Sequence, residues 1–418
     1  MRVAFVRWQV AVLVSIAIAI SYLDRQTLPV AVQSISRDIP LSNSQFSALQ
    51  SAFLFSYALM YAGGGKLVDV LGTRRGFTVI MLFWSLACAS HALAISFMLL
   101  AASRLLLGIG EGGAFPAATR VVAEFFPTQE RATAMGIINA GTAVGAMVAP
   151  PLIAVILSYT SWRWIFVVTG GLGILWTLAW TLARVNPTAI QNNESPGLKT
   201  TEGTRSLPWT RLFSVREIWG LVTAKFLSDA AWFFYLFWLP KYLYQARGFD
   251  VKAVGTFAWM PSAAAGVGCL VGGGFSSYLV HRQFSIGAAR KIALGLSAAL
   301  MPFVIFIPHV PVSFAIALFC LAYFGQQSWS TLVMVLPADL FPQSVVGSVA
   351  GLVGFGGAMG GIAFGELVGY LLDHGLGYGT VFAFAGTLHL AAFGIILACI
   401  PAVEPLSLNR RFGCEVAQ

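Results

Sequence analysis

The sequence predicts an all-α membrane protein of twelve transmembrane helices arranged in two six-helix halves. Three observations carry this prediction. The chain of 418 residues is 58% hydrophobic and only 10% charged, whereas soluble domains carry about 25% charged residues, so a soluble fold is excluded. Apolar stretches long enough to cross a bilayer, about 17–25 residues each, recur along the whole length, and in lipid such stretches satisfy their backbone as helices. One long polar segment, Asn186–Glu217, divides the chain near its middle and reads as a linker.

In order, the expected spans are Val10–Val32, Phe46–Leu71, Phe77–Ala94, Phe97–Phe126, Ala132–Tyr159 and Trp164–Ala183, then Ile218–Tyr244, Val254–Val280, Ile292–Ile307, Val312–Leu336, Val345–Leu372 and Val381–Ile400. The first has Arg2 and Arg7 ahead of an apolar core, as a signal peptide would. No small-residue cleavage site follows, and Asp24-Arg25 stands in its place, so the helix is expected to be retained. The division is therefore 1–185 for the first bundle, 186–217 for the linker and 218–418 for the second bundle with a short tail. The halves also repeat each other. Glu124-Phe125-Phe126-Pro127 through Gly136 matches Asp339-Leu340-Phe341-Pro342 through Gly351 without a gap, and Gly63–Gly65 in the second span is echoed by Gly272–Gly274 in the eighth. Repeats of this kind build many transporters, with the binding site where the halves meet.

Charge gives an orientation. With the N-terminus in the cytoplasm, seventeen of the 25 Lys and Arg fall on that side and five, Arg37, Arg163, Lys241, Arg247 and Lys252, fall outside. This asymmetry predicts both termini inside. It also accounts for the net charge of +9 without any nucleic-acid partner. Glycines at Gly357, Gly361, Gly365 and Gly369, and at Gly108 and Gly112, mark faces where helices approach closely.

The candidate functional residues are the ionisable groups inside the spans: Asp24, Arg25, Arg104, Glu111, Lys225, Asp229 and Glu366. Intramembrane charges are costly and by default mark function. Arg104 and Glu111 are seven apart, two turns along one helix face and roughly 10 Å. A guanidinium fork matches a carboxylate, so Arg25 or Arg104 suits a small organic anion. A carboxyl group whose proton affinity is set by burial and by a nearby arginine is poised to switch. Glu111 beside Arg104 fits that description, its protonation freeing Arg104 for substrate. Asp24 and Arg25, adjacent and about 100° apart, need partners on other helices. Lys225 and Asp229 pair locally at i,i+4, which suits a structural ion pair as well as a substrate contact.

Tyr22, Tyr57, Trp232, Tyr235 and Trp238 offer stacking faces and hydroxyls to a sugar-like ligand, although packing explains each of them singly. Asn139, Thr142, Gln326 and Gln327 have hydroxyl-binding chemistry, and equally suit bridges between helices. The five histidines and five cysteines are scattered, with no metal-ligand or nucleophile spacing. Neither an enzyme nor a metal site is expected.

At this point the residues resemble a known family. Gly65-Lys-Leu-Val-Asp69-Val-Leu-Gly72-Thr-Arg74-Arg75 is similar to the signature loop of the major facilitator superfamily, G-x-x-x-D-R-x-G-R-R in outline, departing at Val70 and Thr73. The resemblance implies the major facilitator fold and a gating role for Asp69 and Arg74. Tyr278 stands where the second copy would have the aspartate, implying a structural loop there. YLDRQTLPVA at Tyr22–Ala31 and RLLLGIGEGGAFPAATR at Arg104–Arg120 resemble the anion:cation symporter branch. WFFYLFWLPKYL at Trp232–Leu243 and LPADLFPQSVVGSVAGLVGFGGAMGG at Leu336–Gly361 are similar to its bacterial hexuronate transporters.

Residue by residue, the pattern implies Asp24 and Glu111 as the proton-coupling pair and Arg25 and Arg104 as the anion-handling pair. Tyr57 would be a cavity contact, with Tyr22, Asn139, Thr142, Trp232, Tyr235 and Gln326 as further substrate contacts and Lys225, Asp229 and Glu366 as additional candidates. The expected activity is import of galacturonate or glucuronate by proton symport through a bacterial inner membrane. No cofactor beyond the coupling proton is expected, the partners are a small sugar acid and the lipid bilayer, and the chain is expected to act as a monomer. Alternatives are an aldonate or aldarate carrier, an organic anion exchanger, or a transporter-derived sensor. Ala149-Pro150-Pro151-Leu152-Ile153-Ala154 lacks the flanking glycines of the G-P-x-x-G-G run common in exporters and antiporters, which favours symport.

Overall fold

The computed structural model describes residues 2–126, 128–183, 214–341 and 343–404. The expected linker 186–217 falls almost wholly outside these residues. The first half contains α1 (Arg2–Asp38), α2 (Asn43–Leu71), α3 (Thr73–Ser90), α4 (Phe97–Gly112), α5 (Ala114–Phe125), α6 (Thr128–Tyr159) and α7 (Trp162–Leu182). The second contains α8 (Arg216–Arg247), α9 (Val251–Phe257), α10 (Trp259–His281), α11 (Ile286–Ala299), α12 (Val312–Leu340), α13 (Gln343–Asp373) and α14 (Tyr378–Cys399).

These elements make twelve spans, because two spans are broken where the sequence predicts continuity. The fourth divides into α4 and α5, and the eighth into α9 and α10. Pro116 and Pro261 stand in the first turns of α5 and α10 and lack the N–H that would bond the carbonyls of Gly112 and Phe257. Pro302 and Pro308 likewise turn the end of the ninth span, Met301–His309, into a 3-10 segment. Among the described residues, nine helical segments are long and apolar enough to cross a membrane by composition. The other three spans, α2, α8 and α12, have 29, 32 and 29 residues, lengths of about 44–48 Å. The chain is a multi-pass membrane protein, and Leu175, Leu270 and Phe314 are among the large apolar side chains it presents outward.

Within the first half α1 packs on α6, α2 on α4 and α3 on α7; within the second α8 packs on α13 and α14, and α10 on α12. Between halves α2 meets α13, α6 meets α9 and α10, and α1 meets α8. Glycine sets the closest approaches. A Cβ at Gly145 of α6 would strike the carbonyl of Ala19 in α1, and one at Gly360 of α13 the carbonyl of Phe226 in α8. The predicted stripe at Gly357, Gly361, Gly365 and Gly369 turns out to face two partners in succession. Gly357 lies against Lys225 and Asp229 of α8, whereas Gly369 lies against Asn43 and Ser44 of α2.

α1 begins and α14 ends on one face, termed here the terminal face; α1 ends and α2 begins on the distal face. At the distal face polar contacts join the halves. Asp373 Oδ1 and Oδ2 accept from the backbone N–H of Asn43 (2.9 Å) and Ser44 (2.8 Å), so a carboxylate of the second half caps the N-terminus of α2, where the helix dipole favours it. Tyr244 Oη donates to Val30 O at 2.6 Å, and Ser51 Oγ donates to Glu366 at 2.5 Å. At the terminal face three polar contacts stay within one half. Arg74 donates to Thr181 O (2.6 Å), Arg290 to Asp339 (3.0 Å) and Arg216 to Ala398 O (2.7 Å). The halves are thus fastened to each other at the distal end.

Gly145→Ala is expected to lower stability by about 1–3 kcal/mol through overpacking. Gly171→Ala, where an added Cβ meets nothing within 4 Å, should change it by no more than about 0.5 kcal/mol. Thermal unfolding of the two purified variants in detergent checks the contrast.

Candidate functional site

The centre of the first half is organised by α1. Ser21 and Arg25 are one turn apart and share a face, and both donate to the same carboxylate oxygen of Glu111 on α4. Ser21 Oγ reaches Glu111 Oε2 at 2.7 Å and Arg25 Nε reaches it at 2.8 Å. The other oxygen, Oε1, is buried and has no hydrogen-bond partner among the described residues. The sequence reading pairs Glu111 with Arg104, and the structure corrects it: the partner is Arg25, with side chains 4% and 0% exposed. Spacing along α4 placed Arg104 on the same face, but two turns separate it from Glu111, while Arg25 reaches across from α1.

Arg104 instead donates to Gln50 Oε1 at 2.7 Å, leaving Nε and Nη1 buried without hydrogen-bond partners. Both guanidinium carbons lie 5.4 Å from the ring centre of Phe53, so one aromatic face of α2 organises the two cations. Arg25 also lies 4.6 Å from the rings of Tyr22 and Tyr57. Glycine makes this burial possible. A Cβ at Gly108 would collide with the α2 backbone at Phe53, and one at Gly112 would lie 2.6 Å from Tyr57 O. The functional face of α4 is thereby drawn against α2.

Asp24 points the other way. It is fully buried within the first half, accepting at 3.4 Å from Cys88 Sγ of α3, which is itself 3.2 Å from Thr169 Oγ1 of α7. The two expected coupling carboxylates, Asp24 and Glu111, therefore have different partners, those of Asp24 toward α3 and α7 and those of Glu111 on α1 itself. Cys88, one of the scattered cysteines, is thus a neighbour of Asp24.

Between the halves lies a small cleft. Tyr22 and Thr142 line it from the first half, and Trp232, Ser262, Cys269 and Gln327 from the second. Toward the distal side a smaller space is bounded by Gln26, Pro150 and Tyr323. Asn139 is exposed, and its carbonyl accepts from Thr142 Oγ1 at 2.8 Å. Tyr235 is 1% exposed and packs against Tyr323, whose hydroxyl donates to Tyr235 O at 2.9 Å. Of the two adjacent glutamines, Gln326 turns into the bundle to His389 and it is Gln327 that faces the cleft.

The second half balances its own charges. Lys225 Nζ lies 2.9 Å from Asp229 and donates to Ser330 Oγ at 2.9 Å. Glu366 contributes the contact to Ser51 between halves. In the signature-like loop Gly72 has a φ of +74°, a conformation that glycine adopts without strain, at the turn from α2 into α3. Arg74 ties that turn to the end of α7, and the side chain of Asp69 lies outside the described residues. Tyr278 accepts from Arg282 Nε at 2.9 Å, a local contact. Among the described residues no group of His, Cys, Asp and Glu is arranged to hold a metal. Sequence reasoning missed Ser21, Gln50 and Tyr323; of these Ser21 was accessible, standing one turn from Arg25.

A profile of the Major Facilitator Superfamily matches residues 14–365. The chain is 29% identical over 423 residues to the hexuronate transporter of Escherichia coli K12, covering 96% of each. It is 31% identical over 313 residues to the galacturonate transporter of Dickeya chrysanthemi, covering 72% of this chain and 90% of that one. Its fold is similar to that of a bacterial homolog of the human lysosomal transporter Spinster, with a TM-score of 0.74 at 18% identity over 94% of this chain and 97% of that one.

Arg25→Ala is expected to cost about 3–5 kcal/mol, because it leaves a buried carboxylate without its counter-charge. Arg25→Ala/Glu111→Ala should be more stable than the sum of the two single effects. A double-mutant cycle on thermal unfolding measures that coupling.

Proposed function

The chain belongs to the Major Facilitator Superfamily, is a transporter rather than an enzyme, and we propose that it imports a hexuronate, galacturonate or glucuronate, by proton symport across a bacterial inner membrane. The relatives named above support the sugar-acid class. In this reading the terminal face, which carries most of the basic residues, is cytoplasmic. The contacts that join the halves at the distal face then make the described conformation closed to the outside.

The observation that carries the coupling is the Arg25–Glu111 pair. Glu111 is held through one oxygen, and its second oxygen is buried and unpartnered among the described residues, a place where a proton adds without displacing a bond. Protonation removes the charge that holds Arg25. The guanidinium then turns its fork to the substrate carboxylate, with Arg104 as a second, fixed positive centre behind Phe53. Trp232 offers a face to the sugar ring, and Thr142, Ser262 and Gln327 offer hydrogen bonds to its hydroxyls. Release of substrate lets Arg25 recapture Glu111 and expel the proton. Transport needs only that the halves rock about the cleft, so no covalent step is required.

The test is uptake of labelled galacturonate into proteoliposomes under an inward proton gradient, with glucuronate, galactonate, glucarate and glutamate as competitors. Uphill accumulation that a protonophore abolishes and glucuronate competes best is expected. Stronger competition by galactonate or glucarate moves the substrate to an aldonate or aldarate. Glu111→Gln should lose uphill accumulation while keeping exchange of labelled for unlabelled substrate; accumulation at the wild-type rate would remove Glu111 from the coupling.

A further inference from the structure

Lys241 is where the sequence reading and the structure diverge most. It reads as one of the few basic residues at the outer end of a span, yet it is 4% exposed, and its Nζ has no hydrogen-bond partner among the described residues. Nζ lies 4.3 Å from the ring centre of Phe46 on α2 and 5.1 Å from that of Trp238 on α8. The two rings meet edge to face at 5.0 Å. Each half therefore supplies one wall of an aromatic cage around the ammonium. Asp373 attracts the charge, but both of its oxygens are engaged by the backbone N–H groups of Asn43 and Ser44. Around Nζ itself the cage offers π-faces in place of hydrogen bonds.

A buried ammonium with no hydrogen bond is an expensive arrangement for a structural role, since an apolar side chain would pack there at no such penalty. Its location gives it a use. Lys241 lies in the seam that must part for the cavity to open distally, and parting carries Phe46 away with α2 while Lys241 stays on α8. The ammonium then faces the opening, nine residues beyond Trp232 of the cleft, about 13 Å along the helix. We propose that Lys241 is an anion-capture site, caged while the distal face is closed and bared when it opens, that binds the carboxylate of an incoming sugar acid before that carboxylate reaches Arg25. This rests on the functional reading above. The site gives the distal mouth a preference for anions, and closure of the cage displaces the carboxylate inward.

Two measurements test it. In right-side-out vesicles with galacturonate as probe, Lys241→Gln should raise KM at the distal face about tenfold, as expected for one lost charge-assisted contact. Its kcat should stay within about twofold of wild type, KM for efflux from the terminal face should not change, and Lys241→Arg should restore the distal KM. An unchanged distal KM in Lys241→Gln overturns the proposal. Independently of the substrate, Lys241→Cys should react from the distal side with a membrane-impermeant thiol reagent, above the background of the wild-type chain. A disulfide in Ser44→Cys/Asp373→Cys, which holds the distal contacts shut, should suppress that reaction. If the thiol introduced by Lys241→Cys stays unreactive in the unlocked protein, the proposal is likewise overturned. Failure of the wild-type chain to carry any of the sugar acids defeats the functional reading alone, and the thiol reaction still decides whether the cage opens.

Discussion

The first half depends on one interaction, the buried pair between Arg25 and Glu111. Two opposite charges removed from water must be held in good geometry or not be there at all. That requirement explains features that otherwise look unrelated: Ser21 one turn before Arg25 to share the carboxylate, Tyr22 and Tyr57 to cover the guanidinium, and glycines on α4 that seat the helix carrying Glu111 closely against α2 and α3. The geometry is also asymmetric, since only one carboxylate oxygen is engaged. A pair built for stability alone would be expected to use both. The same arrangement that makes the pair tolerable leaves Glu111 Oε1 buried and without a hydrogen-bond partner among the described residues.

The twelve spans, their division into two halves and most of the intramembrane charges, Lys241 excepted, were legible from composition, span length and the positions of ionisable residues. The local Lys225–Asp229 pair was legible too, but connectivity between charges on different helices was not. Helical spacing relates residues on one helix, and on that basis Arg104 and Glu111 belong together. Which side chain on another helix comes closer depends on packing, here on how far the glycines let α4 approach α2 and α3. The choice between Gln326 and Gln327 failed for a related reason: neighbours on a helix point about 100° apart, and no periodic signal said which direction was the cleft.

Lys241 was misread through its distance from the end of the apolar run. Charges near span ends usually reach the interface, but α8 continues to Arg247, so Lys241 remains within the packed part of the helix. The breaks at Gly113 and Ala258 were foreshadowed by Pro116 and Pro261, which a reading based on hydropathy passes over because proline does not interrupt an apolar window. In each case the missing information was geometric rather than chemical.

The glycine stripe of α13 has a mechanical meaning. Knobs set into holes resist sliding, because each must climb out before it can move, whereas a track of hydrogen side chains offers α2 and α8 a nearly smooth bearing. Resistance to rocking is then concentrated in a few distal latches, the cap by Asp373, the Ser51–Glu366 bond and the Tyr244–Val30 bond. Which way the cavity faces and how tightly it holds its cargo become separable properties, set by different residues far apart in the molecule. Selection can adjust one without disturbing the other.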